Sequence, residues 1–154
     1  MEIKLLVMDV DGTLTDGKIN MGPNGEVFKS FDIKDGYAIN EILPAHGIIP
    51  AIITGRVSSI VENRARELHV DELYQGKHDK LDTLLELMQK YGCSRENVAY
   101  IGDDILDLEC MNECGVVGCP ADACRQVKEI AHYVCSNNGG NGAVREFIEF
   151  IVEH

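Results

Sequence analysis

Basic residues are scarce in this chain: 14 Lys and Arg stand against 26 Asp and Glu, for a formal net charge of −12. Nucleic-acid binding normally needs a basic face, so that balance argues against it. It argues equally against docking on anionic membranes. No apolar run approaches the roughly 18 residues of a membrane span. The opening residues Met1-Glu2-Ile3-Lys4 lack a basic n-region and a small-residue cleavage site, so no signal peptide is read and a cytoplasmic setting is expected. Six cysteines, at 93, 110, 114, 119, 124 and 135, contain no C-x-x-C pair. Cys110 and Cys114 share one helical face, but no second His or Cys pair completes a zinc site, so buried structural thiols are expected. Internal repeats and low-complexity segments are also missing. What remains is a 154-residue chain, 45% apolar and 26% charged, which are globular values. One domain over 1–154 is expected.

Apolar runs alternate with helix-period segments. Ile3–Met8, Ile48–Thr54, Val98–Ile101, Gly115–Gly118 and His132–Cys135 read as strands. Helical patterns fill roughly 35–46, 58–69, 80–91, 104–113, 122–131 and 142–153; in the third, Leu81, Leu84, Leu85 and Met88 fall at i, i+3, i+4, i+7. This alternation predicts βαβ units, hence an α/β doubly wound, mostly parallel sheet with helices on both faces. Segment 17–32 differs. Its apolar stretches flank Gly22-Pro23-Asn24-Gly25, which predicts a projecting β-hairpin. Pro44 should kink or shorten its helix, and Pro50 is tolerable only near a strand start or edge.

Four stretches could carry chemistry. Asp9-Val10-Asp11-Gly12-Thr13 follows the first strand, and period two puts Asp9 and Asp11 on one side of an extended backbone. Two such carboxylates repel and suit a hard cation such as Mg²⁺ between them. The Asp-Gly pairs also read as ordinary turn markers. Gly102-Asp103-Asp104-Ile105-Leu106-Asp107 follows the Val98–Ile101 strand. Acids at a helix start explain Asp104 and Asp107, but explain Asp103, pressed against the strand end, less well. A second acidic cluster at a second strand end suggests one shared metal site. Thr54-Gly55-Arg56 ends another strand and offers a hydroxyl and backbone N–H groups to a phosphate. Gly76-Lys77-His78-Asp79-Lys80 puts lysine in a first helical turn, where the dipole disfavours it unless an anion is near.

Together the four resemble the haloacid dehalogenase superfamily of phosphotransferases, with its D-x-D-x-T, Thr/Ser, Lys and G-D-D-x-x-D segments in this order. The resemblance covers essentially the whole chain and implies a Rossmann-like sheet and Mg²⁺-dependent phosphoryl transfer. It implies that Asp9 attacks phosphorus and that Asp11 serves as general acid, then base. Thr54 and Lys80 would hold phosphoryl oxygens, with Lys77 as the competing lysine. The metal would bind the Asp9 side chain, the Asp11 backbone carbonyl and Asp103. Asp104 and Asp107 would orient Lys80 or metal-bound water.

About forty residues separate Asp11 from Thr54, and 48 separate Thr54 from Asp103, so neither gap holds a large cap domain. The chain is similar to the small uncapped branch acting on 3-deoxy-2-ulosonic acid phosphates. The residues carrying that likeness include Lys34-Asp35-Gly36 and Gly139-Gly140-Asn141-Gly142. The resemblance implies a homotetramer packed through the hairpin, with the Gly-rich segment of 136–154 reaching toward a neighbour's site. The hairpin's Ile19, Met21, Val27 and Phe28 fit that, or could fold back on the core. Gly55 with Arg56 and Arg64 would meet the substrate carboxylate. Arginine after Thr-Gly favours an eight-carbon octulosonate ester over a nine-carbon sialic-acid-type 9-phosphate. A non-catalytic assembly module related to sugar-acid cytidylyltransferases is the alternative from another class. Thr13 and Asn141 depart from the branch's common Val and cation, and the latter weakens a salt bridge from the tail to substrate.

Overall fold

The computed structural model describes residues 2–154. The first strand, β1 (Leu5–Met8), leads through a loop to a two-stranded ribbon, β2 (Asn20–Gly22) and β3 (Gly25–Phe28). Helix α1 (Ile33–Tyr37) runs through a π-helical stretch, Ala38–Ile42, into α2 (Leu43–Ala45). There follow β4 (Ile49–Ile53), α3 (Ser59–Glu67), β5 (Glu72–Tyr74) and α4 (Lys80–Lys90). The last third holds β6 (Val98–Ile101), a 3₁₀ turn (Ile105–Asp107) with α5 (Leu108–Met111), β7 (Val116–Cys119), α6 (Arg125–Ile130), β8 (Tyr133–Val134) and α7 (Ala143–Glu153). Six strands form one sheet in the order β5-β4-β1-β6-β7-β8, and every pairing in it is parallel. The chain winds outward from β1 on one side, then crosses to β6 and winds outward on the other. Among the described residues no large cap covers the sheet, and the hairpin forms a separate two-stranded ribbon.

Strand alternation divides the core. Leu6, Met8, Ile52 and Ile101 point to the face covered by the π-helical stretch, α3 and α7. Leu5, Val7, Ile53 and Tyr100 point to the face covered by α4, α5 and α6. Because both faces are covered, the strands read as continuous apolar runs. The edge strand β5 is absent from the sequence-based expectation: Glu72-Leu73-Tyr74 is short, and its glutamate hides the pattern. That glutamate is buried where Lys90, Tyr74 and Tyr91 all donate to it.

Both prolines are accommodated locally. Ile49 N–H donates to Lys4 C=O in the β1 direction, so by alternation Pro50 faces the other side, where β5 has not begun. Pro44 follows the π-helical stretch, in which Leu43 N–H reaches back to Ala38 C=O. That widened turn lies where the Pro44 ring would otherwise meet the carbonyl one α-turn back. The predicted kink is thus a change of helical register. The predicted helix at 104–113 divides into a 3₁₀ turn and one α-turn, because Asp104 and Asp107 cap the tighter turn reciprocally.

Candidate active site

The carboxyl ends of β4, β1 and β6, three adjacent strands, open on one cleft. Ligands of open α/β sheets bind there, where strand order reverses. Asp9 and Asp11 come from the end of β1, Thr54, Gly55 and Arg56 from β4, Asp103, Asp104 and Asp107 from β6, and Lys80 from the start of α4. Strand geometry alone brings side chains that are 94 positions apart in sequence, Asp9 and Asp103, into one group.

Asp9, Asp103 and Asp107 each offer a carboxylate oxygen within 4.8 Å of the others. Gly12 adopts φ 90°, and a β-carbon there would run into the Asp103 carboxylate, so only glycine lets the β1 loop approach this closely. Lys80 Nζ, almost fully buried, donates to Asp9 Oδ1 at 2.9 Å and Asp107 Oδ1 at 3.0 Å. Asp107 is saturated. Its Oδ1 also accepts from Tyr100 Oη at 2.6 Å, and its Oδ2 from the backbone N–H groups of Asp103 and Asp104 at 3.2 and 3.3 Å. A carboxylate offers about four lone-pair sites, so Asp107 has little left for a cation. Asp9 and Asp103 do.

Burial, then the neighbouring Asp107 charge, pushes the Asp9 carboxyl up to about 6, with Lys80 opposing. Burial, then a shared hydrogen bond and charge repulsion with Asp9, pushes Asp103 up to about 8. Carboxyls forced upward by one another at a strand-end cleft, with only one lysine between them, are the donor set that a hard divalent cation relieves.

The other expected residues are placed as follows. Thr54 is buried at the cleft, and its backbone N–H is held by Tyr74 C=O. Arg56 stands exposed at the rim. Lys77 is exposed and outside the cleft, whereas Lys80 is buried in it. Asp104 caps the 3₁₀ turn through Ile105 N–H and makes no bond to Lys80, so of the two acids expected to orient that lysine only Asp107 does so. Arg64 is not brought to the cleft. It lies in a separate niche on the α1/α3 side, over the Phe31 ring at 5.5 Å and paired with Glu67. Its helix, α3, leads away from the end of β4, so its side chain is carried off the cleft.

Two functional neighbours were not singled out in sequence. Tyr100 reads as an apolar strand residue, yet its hydroxyl ends on Asp107. Lys29, at the foot of the hairpin, donates to Asp11 Oδ1 at 2.6 Å and to Glu26 Oε2 at 2.9 Å. Burial lowers its affinity for the proton, but the two carboxylates outweigh this and hold it above the usual lysine value. A lysine after an exposed strand carries no spacing signal that separates it from a solvated charge. In the Lys34-Asp35-Gly36 stretch, Asp35 accepts from Arg145 N–H at 2.9 Å and caps α7 from a distance.

Residues 53–148 match a family model described as haloacid dehalogenase-like hydrolase. The chain is 45% identical over 150 residues to the 3-deoxy-D-manno-octulosonate 8-phosphate phosphatase KdsC of Yersinia pestis, covering 97% of this chain and 80% of that protein. A crystal structure of the Moraxella catarrhalis phosphatase of the same name, in complex with magnesium ion, phosphate ion and KDO, is similar with a TM-score of 0.93 at 43% identity, covering 98% of this chain and 86% of that one. The cobalt-bound Haemophilus influenzae phosphatase gives a TM-score of 0.94 at 38% identity, covering 99% and 88%.

Proposed function

The chain belongs to the haloacid dehalogenase-like hydrolases, and from that premise we propose that it is a Mg²⁺-dependent phosphomonoester hydrolase acting on 3-deoxy-D-manno-octulosonate 8-phosphate. The observation that carries the chemistry is the buried Asp9–Lys80–Asp107 network beside Asp103 at the ends of adjacent strands. The substrate rests on likeness to phosphatases of that name along nearly the whole chain.

The residues assigned here act in two steps. An Asp9 carboxylate oxygen attacks phosphorus, the bond from phosphorus to the leaving oxygen breaks, and the proton on the Asp11 carboxyl passes to that oxygen. Water then attacks the aspartyl-phosphate and gives a proton to the Asp11 carboxylate; the bond to Asp9 breaks, freeing phosphate and restoring Asp9. Thr54 and Lys80 hold the transferring oxygens, and Asp107 with Tyr100 behind it keeps Lys80 in place. Asp9 and Asp103, with the Asp11 backbone carbonyl, would hold Mg²⁺. When bound, the metal neutralises charge on the phosphoryl group. Arg56 at the rim is suited to a substrate carboxylate.

The same reading includes a homotetramer, supported by a two-stranded ribbon that leaves Met21, Val27 and Phe28 more than half exposed. It includes a reducing, cytoplasmic setting, supported by six free cysteines, four of them buried.

The test is phosphate release from octulosonate 8-phosphate, a nine-carbon sugar-acid 9-phosphate, hexose phosphates and p-nitrophenyl phosphate, with Mg²⁺ or with EDTA. Mg²⁺-dependent preference for the octulosonate ester, lost in Asp9→Asn, is the expected result. Activity surviving Asp9→Asn overturns the mechanism, and a folded, metal-loaded chain without any turnover favours the assembly module.

A further inference from the structure

Lys29 sits where the hairpin rejoins the body of the molecule, directly after β3. Its side chain is 1% exposed, and its ammonium spans two carboxylates, Asp11 on the catalytic loop and Glu26 on the hairpin. A buried ammonium persists only with such partners. Asp11, by contrast, keeps 23% of its side chain exposed and lines the cleft, while Lys29 does not. The lysine therefore meets the acid from outside the cleft.

An aspartate turns about two torsions, the second of them broad. Asp11 must face a leaving oxygen and later a water, and a misplacement of about 1 Å can cost about 100-fold in rate. Resting on the reading of Asp11 given above, we propose that Lys29 is a positioning residue: it anchors Asp11 Oδ1 and so presents Oδ2 as the oxygen that exchanges the proton. In the first step the proton leaves Oδ2 for the leaving oxygen as the phosphorus–oxygen bond breaks. In the second, Oδ2 takes a proton from the attacking water. Lys29 remains an ammonium throughout, and Glu26 holds it from the far side. The hairpin is thereby part of the catalytic apparatus as well as a surface for assembly.

A purely structural ion pair would fasten the hairpin and affect all substrates alike; a positioning role depends on the leaving group. An alkoxide leaving group needs the Asp11 proton, whereas p-nitrophenolate departs without it. The value of kcat/KM covers events only through release of the alcohol and isolates that step. Lys29→Met is expected to lower kcat/KM about 100-fold for an alkyl phosphomonoester and less than about threefold for p-nitrophenyl phosphate, with Lys29→Arg recovering most of the loss. Asp11→Asn is the reference. If it lowers both esters equally, the reading of Asp11 fails; if it discriminates and Lys29→Met does not, only the assignment of Lys29 fails. The double variant Lys29→Met/Glu26→Gln leaves no unpaired hairpin charge and serves if the single variant does not fold. The same discrimination supports the proposal in that background, and equal losses or none overturn it.

Discussion

Asp103 shows how far a residue's chemistry depends on its neighbours. Its carboxyl, pushed up to about 8, and that of Asp9, at about 6, bind protons more tightly in the metal-free fold than in the unfolded chain. Metal-free stability should therefore fall as pH rises from about 4 through about 8, the reverse of the usual behaviour of paired carboxylates. Metal binding requires the ionised forms. Adding Mg²⁺ at pH 7 is thus expected to release about one proton per site, with apparent affinity climbing toward pH 8 and then levelling. Calorimetry in two buffers of different ionisation enthalpy measures this directly; proton-neutral binding would contradict it. Sequence order made Asp9, Asp11, Asp103 and Lys80 legible, because each sits at a strand end or a helix start. The roles of Tyr100 and Lys29 were not legible, since in sequence a hydrogen-bonded tyrosine reads like any strand residue and a buried lysine like a solvated one, until a partner from elsewhere in the chain meets them.

At the scale of elements, the loop before α7 bears on the site. Gly140 N–H donates to Thr13 C=O, and the Gly139 backbone lies against the Gly12 and Thr15 carbonyls. A β-carbon at Gly139 would overlap the Gly12 carbonyl, which rigid backbone cannot relieve. Gly139→Ala should therefore displace the loop carrying Asp11 and cost on the order of 2 kcal/mol in stability, in the range of overpacking. Denaturant unfolding and kcat read the two effects, and an unchanged kcat would show that the loop absorbs the strain elsewhere. The five expected strands and six helical regions follow from period and punctuation. β5 escaped because three residues centred on one leucine carry no period, and its place is decided by pairing with β4. The π-helical stretch likewise follows from Pro44, but its position depends on how the helix packs on α7.

For the whole molecule, exposed apolar residues are spread over several elements, and the hairpin carries one group of them, with Met21 64%, Val27 58% and Phe28 53% exposed. A ribbon with apolar side chains exposed at these levels needs a partner surface. Replacing Val27 with Lys and Phe28 with Glu is expected to convert a tetramer to smaller species without loss of helical content. Sedimentation velocity with circular dichroism checks this, and a wild-type chain that sediments as a monomer removes the tetramer at once.

The sequence by itself determined the winding of the sheet, the absence of room for a cap and the acids at the ends of β1 and β6, because these depend on local period and on positions along one strand. Tertiary structure alone decided that Asp107 is spent on Lys80, Tyr100 and two backbone donors, that Arg64 turns away from the cleft, and that Lys29 meets Asp11. Those are questions of which distant group reaches an atom first, and a carboxylate's role follows from the donors that reach it.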